Sequence, residues 1–157
     1  MERAETKGNR NASPMKKKII TVFIADDHPL IRLGLRLSLG QIEGIQIIGE
    51  AIDGYSAIDK IRQAPPDVAL VDVDMPGLSG TGAIRVLRKS LPDMKIIVLS
   101  TYHNENYIRE TMEAGADGYV LKNIDVDGLA DIIKSFVDGT TIFSPYMISR
   151  RVEQRAL

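Results

Sequence analysis

The stretch that most constrains how this chain can fold is VALVDVDMPGLSG, residues 68–80. An apolar, β-branched run ends at Asp72 and is followed by a turn at Met75-Pro76-Gly77, which is typical of a buried strand that ends at a carboxylate. In an open parallel α/β sheet, ligands bind at the carboxyl ends of the strands, beside the point where the strand order reverses. Asp72 is therefore predicted to lie at the functional edge of such a sheet.

Three other predicted strands also end in polar or charged residues. The run 19–25 precedes Asp26-Asp27, the run 95–99 precedes Ser100, and the run 118–121 precedes Lys122. Because the carboxyl ends of parallel strands meet at one edge, we expect three acids, a hydroxyl and an ammonium group to converge there.

Short β-branched runs alternate with amphipathic segments from residue 18 onward, a pattern typical of α/β proteins with a parallel sheet. We predict strands at 19–25, 46–51, 68–72, 95–100 and 118–121. We predict helices at 29–39, 54–63, 80–90, 105–114 and 126–137, with N-caps at Asp53, Ser79 and Asn104. Right-handed crossovers place these five helices on both faces of a doubly wound, five-stranded sheet of order 2-1-3-4-5. The predicted core-facing residues are Leu33, Leu37, Ile58, Ile61, Leu87 and Ile132.

The 157 residues suffice for about one domain. Residues 1–17 are polar and aperiodic, which predicts a flexible N-terminal arm. We interpret the residues before Met15 as a possible remnant of an expression vector. The predicted domain spans 18–138, and 139–157 form an interdomain linker or C-terminal extension with one or two helical turns after Ser144-Pro145. The tail's arginines, at 150, 151 and 155, are interpreted as a solvated face.

Composition narrows the classes of function. The 20 basic residues nearly balance the 21 acidic ones, so the chain lacks the basic bias expected of a nucleic-acid-binding domain. The absence of cysteine excludes disulfides and thiolate sites. No apolar run approaches the ~20 residues that a membrane span requires, so we expect a cytoplasmic protein that does not associate with membranes.

The predicted acidic site suits phosphoryl chemistry. Asp26, Asp27 and Asp72 would repel one another, and a divalent cation such as Mg²⁺, with Mn²⁺ as a substitute, relieves that repulsion. Lys122 supplies a positive charge and Ser100 a hydroxyl donor for phosphoryl oxygens. Asp72 is the preferred nucleophile, since a carboxylate that attacks phosphorus forms an acyl phosphate.

Taken together, these motifs resemble the receiver domain of two-component response regulators over about residues 18–138. The resemblance is carried by an acidic pair, an aspartate followed by x-x-Met-Pro-Gly, a serine and a lysine after successive strands: Asp26-Asp27, Asp72 with Met75-Pro76-Gly77, Ser100 and Lys122. The segments ADDHPL, DMPGLSG and EAGADGYVLK are similar to the subfamily that precedes a LuxR-type helix-turn-helix domain. The resemblance implies a flavodoxin-like form of the predicted fold.

The resemblance also implies roles for individual residues. Asp72 would accept a phosphoryl group from a phosphohistidine of a sensor histidine kinase. Asp27 and Asp72 would bind Mg²⁺ directly, Asp26 through water, and Asp74 through its backbone carbonyl. No separate cofactor-binding residue is implied.

Conformational switching is implied as well. Ser100 would move to donate to a phosphoryl oxygen, and Tyr119 would rotate inward into the space vacated. Such a switch is a shift between two packings of one domain, and its output surface would be helix four, strand five and helix five.

The implied partners are the kinase, a second copy after phosphorylation, and DNA through a C-terminal helix-turn-helix that this chain lacks. The chain would be an excised or a stand-alone receiver. It would not be an enzyme, apart from assisting its own phosphorylation and dephosphorylation. Asn123 departs from the proline that many receivers have after the lysine, while Asp74 and Tyr102 occupy positions that tune acyl-phosphate hydrolysis.

Other interpretations compete with this one. Asp72-Val73-Asp74 also reads as the D-x-D of haloacid-dehalogenase-type phosphatases, although Pro76 replaces their usual threonine. A pseudo-receiver would bind a partner without phosphorylation. His28 and His103 are interpreted as surface or capping residues, and Tyr119 as a half-buried strand aromatic if it has no switching role.

Overall fold

Strands and helices alternate along the part of the chain that the computed structural model describes, residues 18–140 and 147–149. The strands are β1 Ile20–Ala25, β2 Ile45–Ala51, β3 Val68–Asp72, β4 Lys95–Ser100, β5 Gly118–Leu121 and β6 Met147–Ser149. The helices are α1 Pro29–Gly40, α2 Gly54–Gln63, α3 Gly80–Ser90, α4 Glu105–Ala114 and α5 Val126–Asp138. No helix in these two stretches is both long and apolar enough to cross a bilayer.

A single sheet has the order β2-β1-β3-β4-β5-β6. Its first five strands are parallel, which confirms the predicted doubly wound order 2-1-3-4-5 and the five helices. Asp53, Ser79 and Asn104 each cap the predicted helix by accepting a backbone N–H. The sequence pattern therefore predicted the fold class and the element boundaries to within a few residues.

β6 corrects the prediction for the C-terminal tail. Met147–Ser149 form a strand antiparallel to β5, with Val120 paired to Met147, instead of the helical turn predicted after Ser144-Pro145. β5 would otherwise present an unpaired row of N–H and C=O groups, and β6 pairs with them. The predicted N-terminal arm and the three tail arginines lie outside the described residues.

The core lies on both faces of the sheet. One apolar cluster fills the space between the sheet and α2, α3 and α4, and a second lies under α1 and α5. All five residues of β3 are buried, as expected for a central strand that is covered on both faces. β3 is therefore a rigid support for Asp72 at its end.

Helix α1 packs with a different side against the sheet than the sequence predicted. Ile61, Leu87 and Ile132 are buried as expected, but Leu33 and Leu37 are exposed. Leu39 is the fully buried residue of α1. The sequence PLIRLGLRLSLG places leucines around more than one side of the helix, so periodicity alone could not identify the side that faces the core.

Arg88 on α3 joins the loops at the amino-terminal edge of the sheet. Its Nε donates to the carbonyl of Gly115 at 2.9 Å, and its Nη1 donates to the carbonyl of Met94 at 2.7 Å. Its Nη2 donates to Asp117 Oδ2 at 2.7 Å, and the same carboxylate oxygen accepts the backbone N–H of Ile96 at 2.8 Å. The guanidinium thus supplies donors to carbonyls that the loops cannot pair by themselves.

We predict that Arg88→Met lowers the free energy of unfolding by about 2–3 kcal/mol, because several part-buried acceptors lose their donors. Arg85→Met is the matched control, since Arg85 is an exposed arginine on the same helix. Urea denaturation monitored by circular dichroism measures both. Equal effects of the two substitutions would contradict the role assigned to Arg88.

Candidate functional site

Asp26, Asp72 and Lys122 meet at the carboxyl edge of the sheet. Ala25 pairs with Val71, so the next residues, Asp26 and Asp72, lie side by side at the ends of the adjacent strands β1 and β3. Lys122 Nζ lies 2.9 Å from Asp26 Oδ2 and 3.3 Å from Asp72 Oδ1. Asp26 and Asp72 are both nearly inaccessible to solvent.

The backbone after β3 fixes the direction of Asp72. Gly80, the first residue of α3, lies so close that a Cβ there would overlap the carbonyl oxygen of Asp72. Its N–H donates to the carbonyl of Val73 at 3.1 Å, and the N–H of Asp74 donates to Asp72 Oδ1 at 3.3 Å. Glycine at position 80 is thus needed for the tight return from strand to helix.

The acids at this edge outnumber the cations that neutralise them. Asp27 is about one third exposed and completes a cluster with Asp26 and Asp72. Within the described residues, the buried oxygens Asp27 Oδ1 and Asp72 Oδ2 accept no hydrogen bond. Carboxylate oxygens left in this way suit a hard divalent cation, for which they are the preferred ligands.

His28 extends into the acid cluster, which no motif in the sequence predicted. Its Nδ1 lies 2.8 Å from Asp26 Oδ1, 3.2 Å from Asp27 Oδ1 and 3.5 Å from Asp72 Oδ2. Its side chain is 53% exposed, in agreement with the interpretation of His28 as a surface residue. His28 occupies the N-cap position of α1, but its side chain makes no capping hydrogen bond. The available signal was its place directly after two acids that need positive charge. His103 is exposed, in agreement with its interpretation as a surface residue.

Burial and charge shift the two buried carboxylates in opposite directions. Burial, reinforced by the negative charge of Asp26 and only partly offset by Lys122, raises the pKa of Asp72 to about 6. Burial also acts to raise the pKa of Asp26, but hydrogen bonds from His28 and Lys122 outweigh it and the pKa is lowered. The hydrogen bond to Asp26 in turn raises the pKa of His28. Asp26 is therefore the fixed charge of the pair, and Asp72 is the carboxylate that titrates near neutral pH.

Ser100 and Tyr119 both hold the backbone of residue 102. Ser100 ends β4, and its Oγ accepts the N–H of Tyr102 at 3.0 Å. Tyr119 on β5 donates its hydroxyl to the carbonyl of Tyr102 at 2.6 Å. The Tyr119 ring is fully buried in the cluster under α2, α3 and α4, so it already points inward and the half-buried interpretation is wrong. The backbone of residue 102, just after β4, is thus held by hydrogen bonds to a side chain of β4 and a side chain of β5.

The raised pKa of Asp72 predicts a pH-dependent effect of Asp72→Asn on stability without metal. The folded state holds this proton more tightly than the unfolded chain, where the pKa of an aspartate is about 3.8. Stability therefore falls as the pH rises from about 4 to above 6, and the ionised carboxylate costs about 2–3 kcal/mol at neutral pH.

Asparagine removes that charge. We expect Asp72→Asn to raise the free energy of unfolding by about 2 kcal/mol at neutral pH, with the gain disappearing near pH 4. Chemical denaturation with a chelator present, repeated across this pH range, measures the difference. A gain that is independent of pH would show that ionisation of Asp72 does not lower the stability of the folded state.

Comparison with known proteins is consistent with this geometry. Residues 22–134 match the family described as the response regulator receiver domain. The transcriptional regulatory protein YxjL of Bacillus subtilis is 40% identical over 129 residues, which cover 82% of this chain and 59% of the relative. The response regulator GacA of Pseudomonas aeruginosa is 36% identical, with 81% of this chain and 59% of the relative covered. The chain thus spans about three fifths of the length of these relatives.

Solved structures agree. A LuxR-family two-component response regulator from Aurantimonas superposes with a TM-score of 0.75 at 29% identity, covering 82% of this chain and 91% of that one. The isolated receiver of RcsB from Salmonella enterica serovar Typhimurium, solved with the phosphomimetic BeF₃⁻, gives a TM-score of 0.73 at 28% identity over 82% of this chain and 95% of that one. The haloacid-dehalogenase interpretation gains no support from these comparisons. The chain belongs to the response regulator receiver domain family, in the type found in LuxR-family regulators.

Proposed function

We propose that Asp72 is the phosphoacceptor of this receiver domain and that its donor is the phosphohistidine of a sensor histidine kinase. The observation that carries the proposal is the placement of Asp72 at the end of the buried central strand, between Asp26 and Lys122. Asp26 is also buried beside Lys122, but its pKa is lowered by hydrogen bonds from His28 and Lys122, whereas Asp72 is the carboxylate that ends the central strand.

The transfer is a displacement at phosphorus. A carboxylate oxygen of Asp72 forms the new P–O bond while the P–N bond to the donor imidazole breaks, and the electron pair of that bond leaves with the imidazole nitrogen. With a pKa of about 6, Asp72 is mostly ionised at neutral pH and needs no base. The Lys122 ammonium is the counter-charge for the phosphoryl oxygens.

The acid cluster fits Mg²⁺, with Mn²⁺ as a substitute. Asp27 and Asp72 are proposed as direct ligands, Asp26 as a ligand through water, and Asp74 as a ligand through its backbone carbonyl. The ion would neutralise charge on the transferring group. The support from this chain is the pair of buried oxygens, on Asp27 and Asp72, that lack hydrogen-bond donors.

Phosphorylation is proposed to act on the loop after β4. A phosphoryl group on Asp72 would attract the Ser100 hydroxyl, which now accepts the N–H of Tyr102. Because Tyr119 holds the carbonyl of the same residue, a shift of Ser100 would require the loop and the ring to rearrange together. The change would reach α4, β5 and α5, the proposed output surface, as a shift between two packings.

The partners beyond the kinase are proposed from the relatives. YxjL and GacA are named as a transcriptional regulator and a response regulator, and one RcsB structure is described in terms of DNA interaction. We propose that DNA is contacted through a C-terminal helix-turn-helix domain and that phosphorylation favours a homodimer. The domain would act in the cytoplasm as a switch, with no enzymatic turnover beyond its own phosphorylation and dephosphorylation.

Labelling tests the phosphoacceptor directly. Incubation with acetyl phosphate and Mg²⁺ should add the mass of one phosphoryl group to the intact protein, and Asp72→Asn should abolish the addition. Asp74→Asn is the matched control, because the Asp74 side chain is exposed and has only a backbone role in the proposal. Undiminished labelling of Asp72→Asn would overturn the assignment.

Metal binding can be tested without phosphorylation. Mg²⁺ binds the folded state only, so saturating Mg²⁺ should raise the thermal midpoint of the wild type by an amount set by the ratio of its concentration to Kd. Asp27→Asn should lose most of this increase, because Asp27 is a proposed direct ligand. Asp53→Asn, at the cap of α2 outside the cluster, should keep it. Equal increases in all three proteins would argue against the site.

A further inference from the structure

His28 brings a nitrogen atom into the acid cluster. Its Nδ1 lies 2.8 Å from Asp26 Oδ1, 3.2 Å from Asp27 Oδ1 and 3.5 Å from Asp72 Oδ2. One ligand atom from each of these four residues lies within 4.8 Å of the other three. The proposed Mg²⁺ site uses oxygen atoms alone, because this hard ion prefers them. It therefore gives the His28 ring no role.

One hydrogen bond does not satisfy the oxygens around the ring. A single N–H on Nδ1 donates one good hydrogen bond, and its nearest acceptor is Asp26 Oδ1 at 2.8 Å. Asp27 Oδ1 and Asp72 Oδ2 still accept no hydrogen bond within the described residues. Because Asp72 is only 4% exposed, its unpartnered oxygen is buried against the imidazole. A metal ion would bind all of these oxygens at once.

The distances around Nδ1 suit a small tetrahedral metal centre. Bonds of about 2.0–2.2 Å from Zn²⁺ to nitrogen and oxygen ligands imply distances of roughly 3.3 Å between neighbouring ligand atoms. The three distances from Nδ1 to the carboxylate oxygens, 2.8, 3.2 and 3.5 Å, lie on both sides of this value. Three carboxylates and one neutral imidazole provide the four ligands of such a centre. A nitrogen ligand favours Zn²⁺ and Co²⁺ over Mg²⁺.

The supporting contacts and the access route also suit a metal ion. The other oxygens of the two buried acids are already held, since Lys122 Nζ lies 2.9 Å from Asp26 Oδ2 and the N–H of Asp74 donates to Asp72 Oδ1 at 3.3 Å. The His28 side chain is 53% exposed, so an ion can reach the cluster from solvent. The formal charges cancel, because a divalent ion and one lysine balance three carboxylates.

We propose that His28 adds a nitrogen ligand to the three acids and makes the cluster a site for Zn²⁺ and chemically similar ions such as Co²⁺. A four-coordinate centre in which the protein supplies every ligand has no open position for a phosphoryl oxygen, and Asp72 Oδ2 is itself bound to the ion. Zn²⁺ therefore competes with Mg²⁺ and inhibits phosphorylation of Asp72. The inference rests on the proposed function of this site, to which it adds a ligand and an inhibitory class of ion.

Cobalt titration tests the nitrogen ligand. Co²⁺ added to the metal-free protein should produce the visible absorption of a four-coordinate ion, which is much stronger than that of hydrated Co²⁺. His28→Gln should weaken Co²⁺ binding by about tenfold or more, since even the loss of a supporting group at a metal site has effects of this size. Mg²⁺ binding, measured by the Mg²⁺-dependent rise in thermal midpoint, should change far less, so the ratio of Co²⁺ to Mg²⁺ affinity falls.

His103→Gln is the matched control. The chain contains two histidines, and His103 is exposed and lies outside the cluster. This variant should keep the cobalt spectrum and the Co²⁺ affinity of the wild type. Thermal melts of the metal-free variants check that both remain folded. In the wild type, Zn²⁺ should also shift the nitrogen NMR resonance of His28 Nδ1, a measurement that needs no variant.

Labelling with acetyl phosphate measures the consequence for Asp72. In the presence of Mg²⁺, added Zn²⁺ should reduce the mass addition to the wild type and to His103→Gln. His28→Gln should need about tenfold more Zn²⁺ or more for the same fractional reduction, because it lacks the ligand that favours Zn²⁺.

Two outcomes would overturn the inference. One is a ratio of Co²⁺ to Mg²⁺ affinity that His28→Gln leaves unchanged, because the ring would then not be a ligand. The other is Zn²⁺-bound wild type that is labelled as fast as the Mg²⁺-bound protein. Neither outcome touches the proposed function, whose own failure would appear as a wild type that Mg²⁺ does not stabilise and acetyl phosphate does not label.

Discussion

The organisation of this edge of the domain depends on the burial of Asp72 beside Asp26 with one lysine between them. Lys122 lies within 3.3 Å of both carboxylates, but a single ammonium cannot neutralise two buried acids and the adjacent Asp27. Burial and the excess negative charge together account for the raised pKa of Asp72, and the excess charge also accounts for the position of the His28 ring beside the acids. The same site leaves buried carboxylate oxygens without donors. A site with this imbalance suits a cationic ligand, and a cation there would favour the phosphoryl transfer proposed for Asp72.

Two hydrogen bonds connect the acidic site with the segment that follows β4. Ser100 and Tyr119 come from neighbouring strands, β4 and β5, and both hold residue 102. A hydroxyl recruited toward Asp72 would therefore release one side of that segment while the other side remains attached. The close return of the chain at Gly80 fixes Asp72 itself, so the movable parts are the side chains around it. A fixed carboxylate beside side chains that can rearrange would suit the two-state switch proposed for this domain.

Sequence reasoning predicted the parallel sheet, its order and the meeting of Asp26, Asp72 and Lys122, because strand periodicity and strand ends are local signals. It failed where a local pattern leaves a choice. The leucines of α1 surround the helix, so the periodicity could not show that Leu33 and Leu37 face solvent while Leu39 is buried. The three residues of β6 carry too short a pattern to predict pairing with β5. The position of the His28 ring depends on the net charge of three other residues, which no motif encodes.

The pKa of Asp72 in the metal-free domain, measured by a carbon-detected NMR titration of its side-chain carboxyl, tests the central claim most directly. We expect titration near pH 6 for Asp72, titration below the ordinary range for Asp26, and a further rise for Asp72 when Lys122→Gln removes its counter-charge. An Asp72 that titrates near its ordinary value of 3.8, unaffected by Lys122→Gln, would contradict the claim that a buried and under-neutralised carboxylate organises this site.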